Sequence, residues 1–393
     1  MWTIVREWGR IGCLGFGGPP AHISLLRRLC VTDRGWLSDA EFEDGIAATN
    51  LLPGPASTQL AIFCAWRLRG ARGALVGGLC FIVPGLIVIL ALAAVFLGNP
   101  PRWVQGAAAG AGSAVAMVAV HAAVGLFPGS WRRAAAPTGA TAGPGRGRGR
   151  GRARWVGYAV AGAAAGVFAG QYLVLVLLTC GLVEVVARGR WRPRSDAVPS
   201  LALLPFLPAL PAARPSGWLT VAWVALKVGL LSYGGGFVII PLMQSDAVSH
   251  YHWLTAAQFL NAVALGQITP GPVVQTVAVV GYAAAGLGGG LFAALVAFAP
   301  SFAFVLLGAP RFAQLRANTS VQAFLTGAGP AVIGAIAGSA VPLARALTQP
   351  WQYAVLAAAA VWLLVLRRGV VPAILVAGVI GAVGASLGLP VSP

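Results

Sequence analysis

Two stretches set hydrogen-bonding side chains just after a proline-glycine-proline break. Pro53, Gly54 and Pro55 are followed by Ser57, Thr58 and Gln59; Pro270, Gly271 and Pro272 are followed by Gln275 and Thr276. A helix that restarts after such a break presents free backbone N–H groups and the positive end of its dipole, which together favour an anion. Hydroxyl and amide side chains in its first turn add donors without adding charge. Asn50 and Gln267 lie one turn before the breaks, Thr269 directly before the second, and all three are polar in apolar surroundings. Two such helix ends aimed at one point would hold a doubly charged oxyanion with neutral donors. The alternative is a pair of helix kinks filled by small residues, which would not require matched polar residues.

Other candidate groups lie nearby. Glycine clusters precede each break, with Gly17 and Gly18 in "GFGGPPAH" and Gly234 and Gly235 in "SYGGGFVI". They permit close approach of backbone to a ligand or to another helix. His22 has Ile239 at the matching place, and reads as a ligand donor, a proton carrier or a packed histidine. Asp39 and Glu41 suit a solvated first helical turn, whereas Glu43 and Asp44 are expected deeper and are the candidates for proton coupling. Arg10 and Lys227 lie in the first spans of the two halves, where they either attract an anion or snorkel to the interface.

The elements that must position these groups follow from composition. Of 393 residues, 58% are hydrophobic and 9% charged, and the mean hydropathy is +0.82. Soluble domains carry roughly a quarter charged residues. Runs such as 74–97, 104–127 and 291–307 are long enough, or nearly so, to span a hydrocarbon core of about 30 Å, and continuous apolar runs in lipid must be helical. The net charge of +18 resides largely in short loops and in a Gly/Ala/Pro-rich linker, 128–154, whose "RGRGRGRAR" reads as a flexible cytoplasmic connector near anionic headgroups. Nucleic acid is therefore not expected as a partner. Five scattered cysteines give neither a disulfide framework nor a metal site. No phosphate-loop motif occurs, no cofactor is expected, and the N-terminus reads as uncleaved.

The chain also repeats itself. Arg10–Gln59 aligns without a gap on Lys227–Thr276, 217 residues on, with about 15 identities in 50, including both Pro-Gly-Pro triplets. With a one-residue gap Pro84 meets Pro300, and the original offset then returns at Val104 and Val321. Loops flanking the first break carry Arg27, Arg28, Arg34, Arg67, Arg69 and Arg72, while their counterparts carry no Lys or Arg. By the positive-inside rule the halves face opposite ways, an arrangement common in secondary transporters. Ser38 with Glu41, and Thr255 with Gln258, predict capping boxes for the helix before each break. Pro53 and Pro270 must end that helix, and Pro55 and Pro272 suit the first position of the next. Each half-helix of about 14 residues spans roughly 21 Å and does not cross the core alone, so each break predicts a re-entrant or broken helix.

These residues resemble the chromate ion transporter family. The resemblance rests on "FGGPPAHISLLRR", "WLSDAEFEDGIAATNLLPGPASTQLAI", "YGGGFVIIPL" and "GQITPGPVVQT", and covers nearly the whole chain outside the basic linker. It implies an inner-membrane carrier that exports chromate and confers resistance, with sulfate handled by related members. The motif positions it implies are Gly17, Gly18, Pro19, His22, Asn50, Pro53, Gly54, Pro55, Ser57 and Thr58, then Gly234, Gly235, Pro241, Gln267, Pro270, Gly271 and Pro272. Leu29 stands where an acid is usual, Asn261 where Asp is frequent and Ala56 where Asn is frequent; Asp246 keeps an acid in the second half.

The expectation is thus an all-α polytopic membrane protein of two inverted repeats, 1–195 and 196–393, with about ten full spans and two re-entrant segments. Its expected role is a secondary transporter of chromate in a bacterial plasma membrane, not an enzyme. The alternatives are sulfate or other oxyanion transport, a membrane-embedded reductase or acyltransferase, and a scaffold without flux. No nucleophile paired with a base supports the enzyme. The expected partners are the anion and membrane lipids, with a homodimer as one open assembly.

Overall fold

A computed structural model describes residues 1–98, 100–134, 146–168, 172–188, 217–232, 237, 239–309, 314 and 318–391. Gly234 and Gly235 lie outside the described residues, as does 201–211. Fourteen α-helices and no strands are found among the described residues. The first half contributes α1 (Trp2–Leu14), α2 (Pro19–Arg27), α3 (Asp39–Thr49), α4 (Ala56–Phe96), α5 (Arg102–Ala134), α6 (Arg146–Phe168) and α7 (Leu173–Ala187). The second contributes α8 (Gly217–Leu231), α9 (Ile239–Gln244), α10 (Ala256–Ile268), α11 (Thr276–Gly308), α12 (Thr319–Arg345), α13 (Pro350–Ala360) and α14 (Val370–Ser386). Four stretches, Ala56–Phe96, Arg102–Ala134, Val273–Gly308 and Thr319–Arg345, are long and apolar enough to cross a membrane. Outward-facing Leu79, Ile87, Leu295 and Val379 suit a lipid solvent.

Matching sequence gives matching local backbone. Both predicted capping boxes form, Ser38 with Glu41 opening α3 and Thr255 with Gln258 opening α10. A π-helical turn occupies Arg28–Asp33 and again Ser245–His250, closed by Trp36 N–H to Cys30 O and Trp253 N–H to Ala247 O, both 2.8 Å. α4 kinks at Arg69 and Gly70, α11 at Ala285 and Gly286, with φ of 59° and 65° at the two glycines. Each long helix therefore comprises the second limb of a broken segment followed by a spanning helix.

The two halves interlock. α5 packs on α14, and α12 packs on α6, with glycines at the crossing points. A Cβ on Gly381 would overlap Gly106 O, and one on Gly162 would overlap Ala331 O. Lipid offers no hydrophobic drive between helices, so such small-residue stripes let backbones approach and supply the packing.

Three sequence expectations are corrected by the structure. The described parts of the linker 128–154 are helical: α5 continues through Pro128 to Ala134 and α6 starts at Arg146, while 135–145 lies outside the described residues. Anchoring contacts explain this. Arg152 stacks on Trp131 at 5.2 Å, Trp155 Nε1 donates to Ser130 Oγ at 2.9 Å, and Arg154 holds buried Glu184 at 2.9 and 3.2 Å. The half-helices are also shorter than expected, with 11 residues in α3 and 13 in α10. Pro55 and Pro272 are caps rather than first helical residues, and a 3₁₀ turn at Val273–Gln275 precedes α11.

Candidate functional site

Each break is a corner turned by glycine. Gly54 has φ of 114° and Gly271 of 93°, backbone that residues with a Cβ adopt only under strain. Thr49 ends α3 and Ile268 ends α10, after which Pro53 and Pro270 keep the chain out of the helix. α4 then begins after Pro55 with no side-chain cap, so its first-turn amides point outward from the helix end unclaimed by any cap.

Hydrogen bonds tie one corner to the other. Gly271 N–H donates to Gly15 O at 2.9 Å, and His22 Nε2 donates to the same carbonyl at 2.9 Å. Because that carbonyl only accepts, Nε2 carries the proton, and a neutral ring then accepts from Ser57 Oγ, 3.3 Å from Nδ1. His22 is fully buried, with Phe81 edge-on at 5.0 Å. Its role is to link Ser57 of the first corner to the Gly15 carbonyl that receives the second.

Among the described residues, five buried side-chain atoms have no hydrogen-bonding partner: Thr58 Oγ1, Gln59 Oε1, Gln267 Nε2, Gln275 Oε1 and Ser301 Oγ. Four belong to the broken segments, and Ser301 Oγ lies 3.3 Å from where a Cβ on Gly54 would stand. An unpaired polar atom in a dry interior costs about 1–3 kcal/mol, so each of these atoms calls for a partner such as water or a bound group. Ser301 was missed from the sequence because it aligns with Gly85, which packs against Pro270 O of the opposite corner. The reciprocal contacts, Gly85 to the second corner and Ser301 to the first, are its structural signal.

The expected donors are redistributed. Gln59 Nε2 donates to Pro53 O at 2.6 Å and Gln275 Nε2 to Ile82 O at 2.7 Å, so each glutamine braces a backbone and leaves an acceptor free. Thr269 and Thr276 hydroxyls donate to Leu265 O and Val273 O. The donors left for an anion are Thr58 Oγ1, Ser301 Oγ, Gln267 Nε2 and the first-turn amides. Gly18 is buried beside Val273, Gly17 is exposed, and Asn50 is exposed at the end of α3.

The expected coupling groups lie elsewhere. Glu43 and Asp44 are exposed rather than deep, because α3 turns that face outward; Glu43 pairs with Arg27. Arg10 is exposed on α1. Lys227 pairs with Asp246 at 2.6 Å, their side chains 15% and 12% exposed, and stacks on Trp223 at 5.4 Å. Glu41, at the water-exposed start of α3, is held below the usual carboxylate range by the Ser38 backbone and hydroxyl bonds, and by Arg67.

Stacked helices, lipid-facing apolar surface and a polar interior at two discontinuous helices define an all-α polytopic membrane protein. The chain belongs to the chromate transporter family: that family's model, described as chromate transporter, matches residues 2–185 and 219–384. A chromate transport protein of Cupriavidus metallidurans is 32% identical over 354 residues, spanning 87% of this chain and 82% of the relative. A probable chromate transport protein of Synechococcus elongatus is 30% identical over 347 residues, spanning 87% and 84%. One from Pseudomonas aeruginosa is 29% identical over 365 residues, spanning 86% and 79%. No solved structure matches the chain.

Proposed function

We propose that this protein is a secondary carrier that exports chromate across a bacterial plasma membrane and so confers chromate resistance. The carrying observation is the three buried, unpartnered donors at the two corners: Thr58 Oγ1 and Gln267 Nε2 on the broken segments, and Ser301 Oγ facing the first of them. A tetrahedral dianion loses its hydration on entering a site in lipid and needs several fixed donors in exchange. The first-turn amides of α4, Thr58 Oγ1, Ser301 Oγ and Gln267 Nε2 supply them, while Gln59, Gln275 and His22 hold the two corners in place. Weak positive poles of helices attract the anion without binding it as tightly as a fixed arginine would, which suits release.

Two halves, 1–195 and 196–393, are taken as inverted repeats. Support comes from the opposed loop charges, the matched π turns and kinks, and the reciprocal contacts of Gly85 and Ser301 across the halves. Relative rocking of the halves would expose the corners to either side in turn.

Sulfate has the same shape and charge and is the second reading. Purified protein in vesicles is expected to move radiolabelled chromate, with added sulfate competing if the donors read only geometry. Sound vesicles with no oxyanion flux in either direction would refute the carrier.

A further inference from the structure

The ring of His22 has both nitrogens engaged and no ionic partner. Nε2 donates to Gly15 O at 2.9 Å, Nδ1 faces Ser57 Oγ at 3.3 Å, and Phe81 stands edge-on at 5.0 Å. The side chain is fully buried. Charges on the elements packed against α2 are engaged elsewhere or exposed. Glu7 is held by Arg34 at 2.8 Å and Arg28 by Asp33 at 3.6 Å; Arg27 pairs with Asp39 and Glu43, and Arg67 with Glu41. Arg6, Arg10, Arg69 and Arg72 are exposed, and the cysteines of these elements, Cys13, Cys30, Cys64 and Cys80, are free thiols. α10 and α11, which carry the second corner, hold no charged side chain.

A neutral ring takes the hydroxyl hydrogen of Ser57 at Nδ1, which leaves Ser57 only lone pairs to present in the first turn of α4. A proton on Nδ1 reverses that bond. Nδ1–H then donates to Ser57 Oγ, and the hydroxyl hydrogen is released to turn toward an anion. An imidazolium buried without a carboxylate is costly until negative charge arrives beside it. We propose that His22 is the binding site of a co-transported proton, taken up with the dianion and released with it. The proposal rests on the oxyanion-carrier reading and supplies its coupling ion, in place of the exposed Glu43 and Asp44. Ile239 occupies the matching place in the second half, so the stoichiometry is one proton per anion. The loaded site carries one negative charge less than the dianion alone, and an inside-negative membrane potential still favours its outward passage.

Proton uptake on binding tests this without any flux measurement. Chromate is added to the purified protein in lightly buffered detergent solution above neutral pH, where chromate is the dianion, and a pH indicator reads the protons taken up. About one proton per bound anion is expected, with affinity falling about tenfold for each unit rise in pH. His22→Gln keeps both neutral bonds, since its amide donates to Gly15 O and its carbonyl accepts from Ser57. It is expected to bind chromate about tenfold more weakly near neutral pH and to lose both the proton uptake and the pH dependence. Binding without proton uptake by the parent protein would overturn the proposal and leave the carrier standing. Uptake that persists in His22→Gln would assign the proton to another group and overturn it equally. Proton-linked binding in a protein that moves no anion across vesicles would uphold the site and refute only the carrier. A second measurement needs no variant: the imidazole nitrogen resonances of His22 are expected to move to imidazolium values when chromate is added. Resonances that stay at neutral values would overturn the proposal.

Discussion

The amide of Gly271 donates a 2.9 Å hydrogen bond to the carbonyl of Gly15, joining the corner of the second broken segment to the end of the first helix of the chain. His22 reads the same carbonyl and passes the connection to Ser57. The two corners are thus coupled through buried polar groups whose geometry changes if either corner moves.

Ser301→Ala and Thr58→Val each remove an unpartnered oxygen and break no bond within the protein. Each is expected to weaken chromate binding about tenfold, close to 1.4 kcal/mol, with a melting temperature within about 2 °C of the parent. Binding titration beside thermal unfolding in detergent checks this. A large loss of stability with unchanged affinity would assign these oxygens to the scaffold.

Gly54→Ala and Gly271→Ala force a Cβ onto backbone with φ of 114° and 93°. In Gly54 that Cβ also meets Gln59 Nε2 at 2.7 Å, and in Gly271 Gln275 Nε2 at 3.2 Å. A cost of about 1–3 kcal/mol is expected at either corner, greater at Gly54, together with loss of flux. Thermal unfolding of the two variants side by side measures the order.

Lys227 and Asp246 form a partly buried pair that ties α8 to the π turn after α9. Lys227→Met or Asp246→Asn alone leaves one charge without its partner and is expected to cost about 3–5 kcal/mol. The double variant is expected to recover most of that loss. A double-mutant cycle on unfolding midpoints reads the coupling, and additive single effects would show that the pair does not act as a unit.

Glu41 titrates lower in the folded protein than in the unfolded chain, because the Ser38 bonds favour its ionised form. Its stabilising contribution is therefore complete above the ordinary carboxylate pKa and fades as pH falls through the lowered folded value. Glu41→Gln is expected to flatten that acid limb while keeping the amide cap that Gln258 already provides in α10. Melting temperature measured against pH from neutral to acid distinguishes the two proteins.

Much of the architecture was legible in local sequence, because its causes are local. Lipid-length apolar runs must be helical, a proline forces the preceding residue out of the helix, and Ser38-x-x-Glu41 caps whatever follows it. The repeat, both corners, both caps and the polar first turns needed nothing more. Long-range contacts decided the rest. Whether Gln59 and Gln275 face an anion or brace a carbonyl depends on Pro53 O and on Ile82 O, the latter 193 residues from Gln275. Ser301 entered the site because its helix crosses the opposite corner, and Glu43 left it because α3 turned that face to the outside. Sequence determines where a helix must break and which groups are available there. Only the packing of one half against the other decides which of those groups remain unpaired, since a buried donor takes the nearest acceptor that the fold delivers.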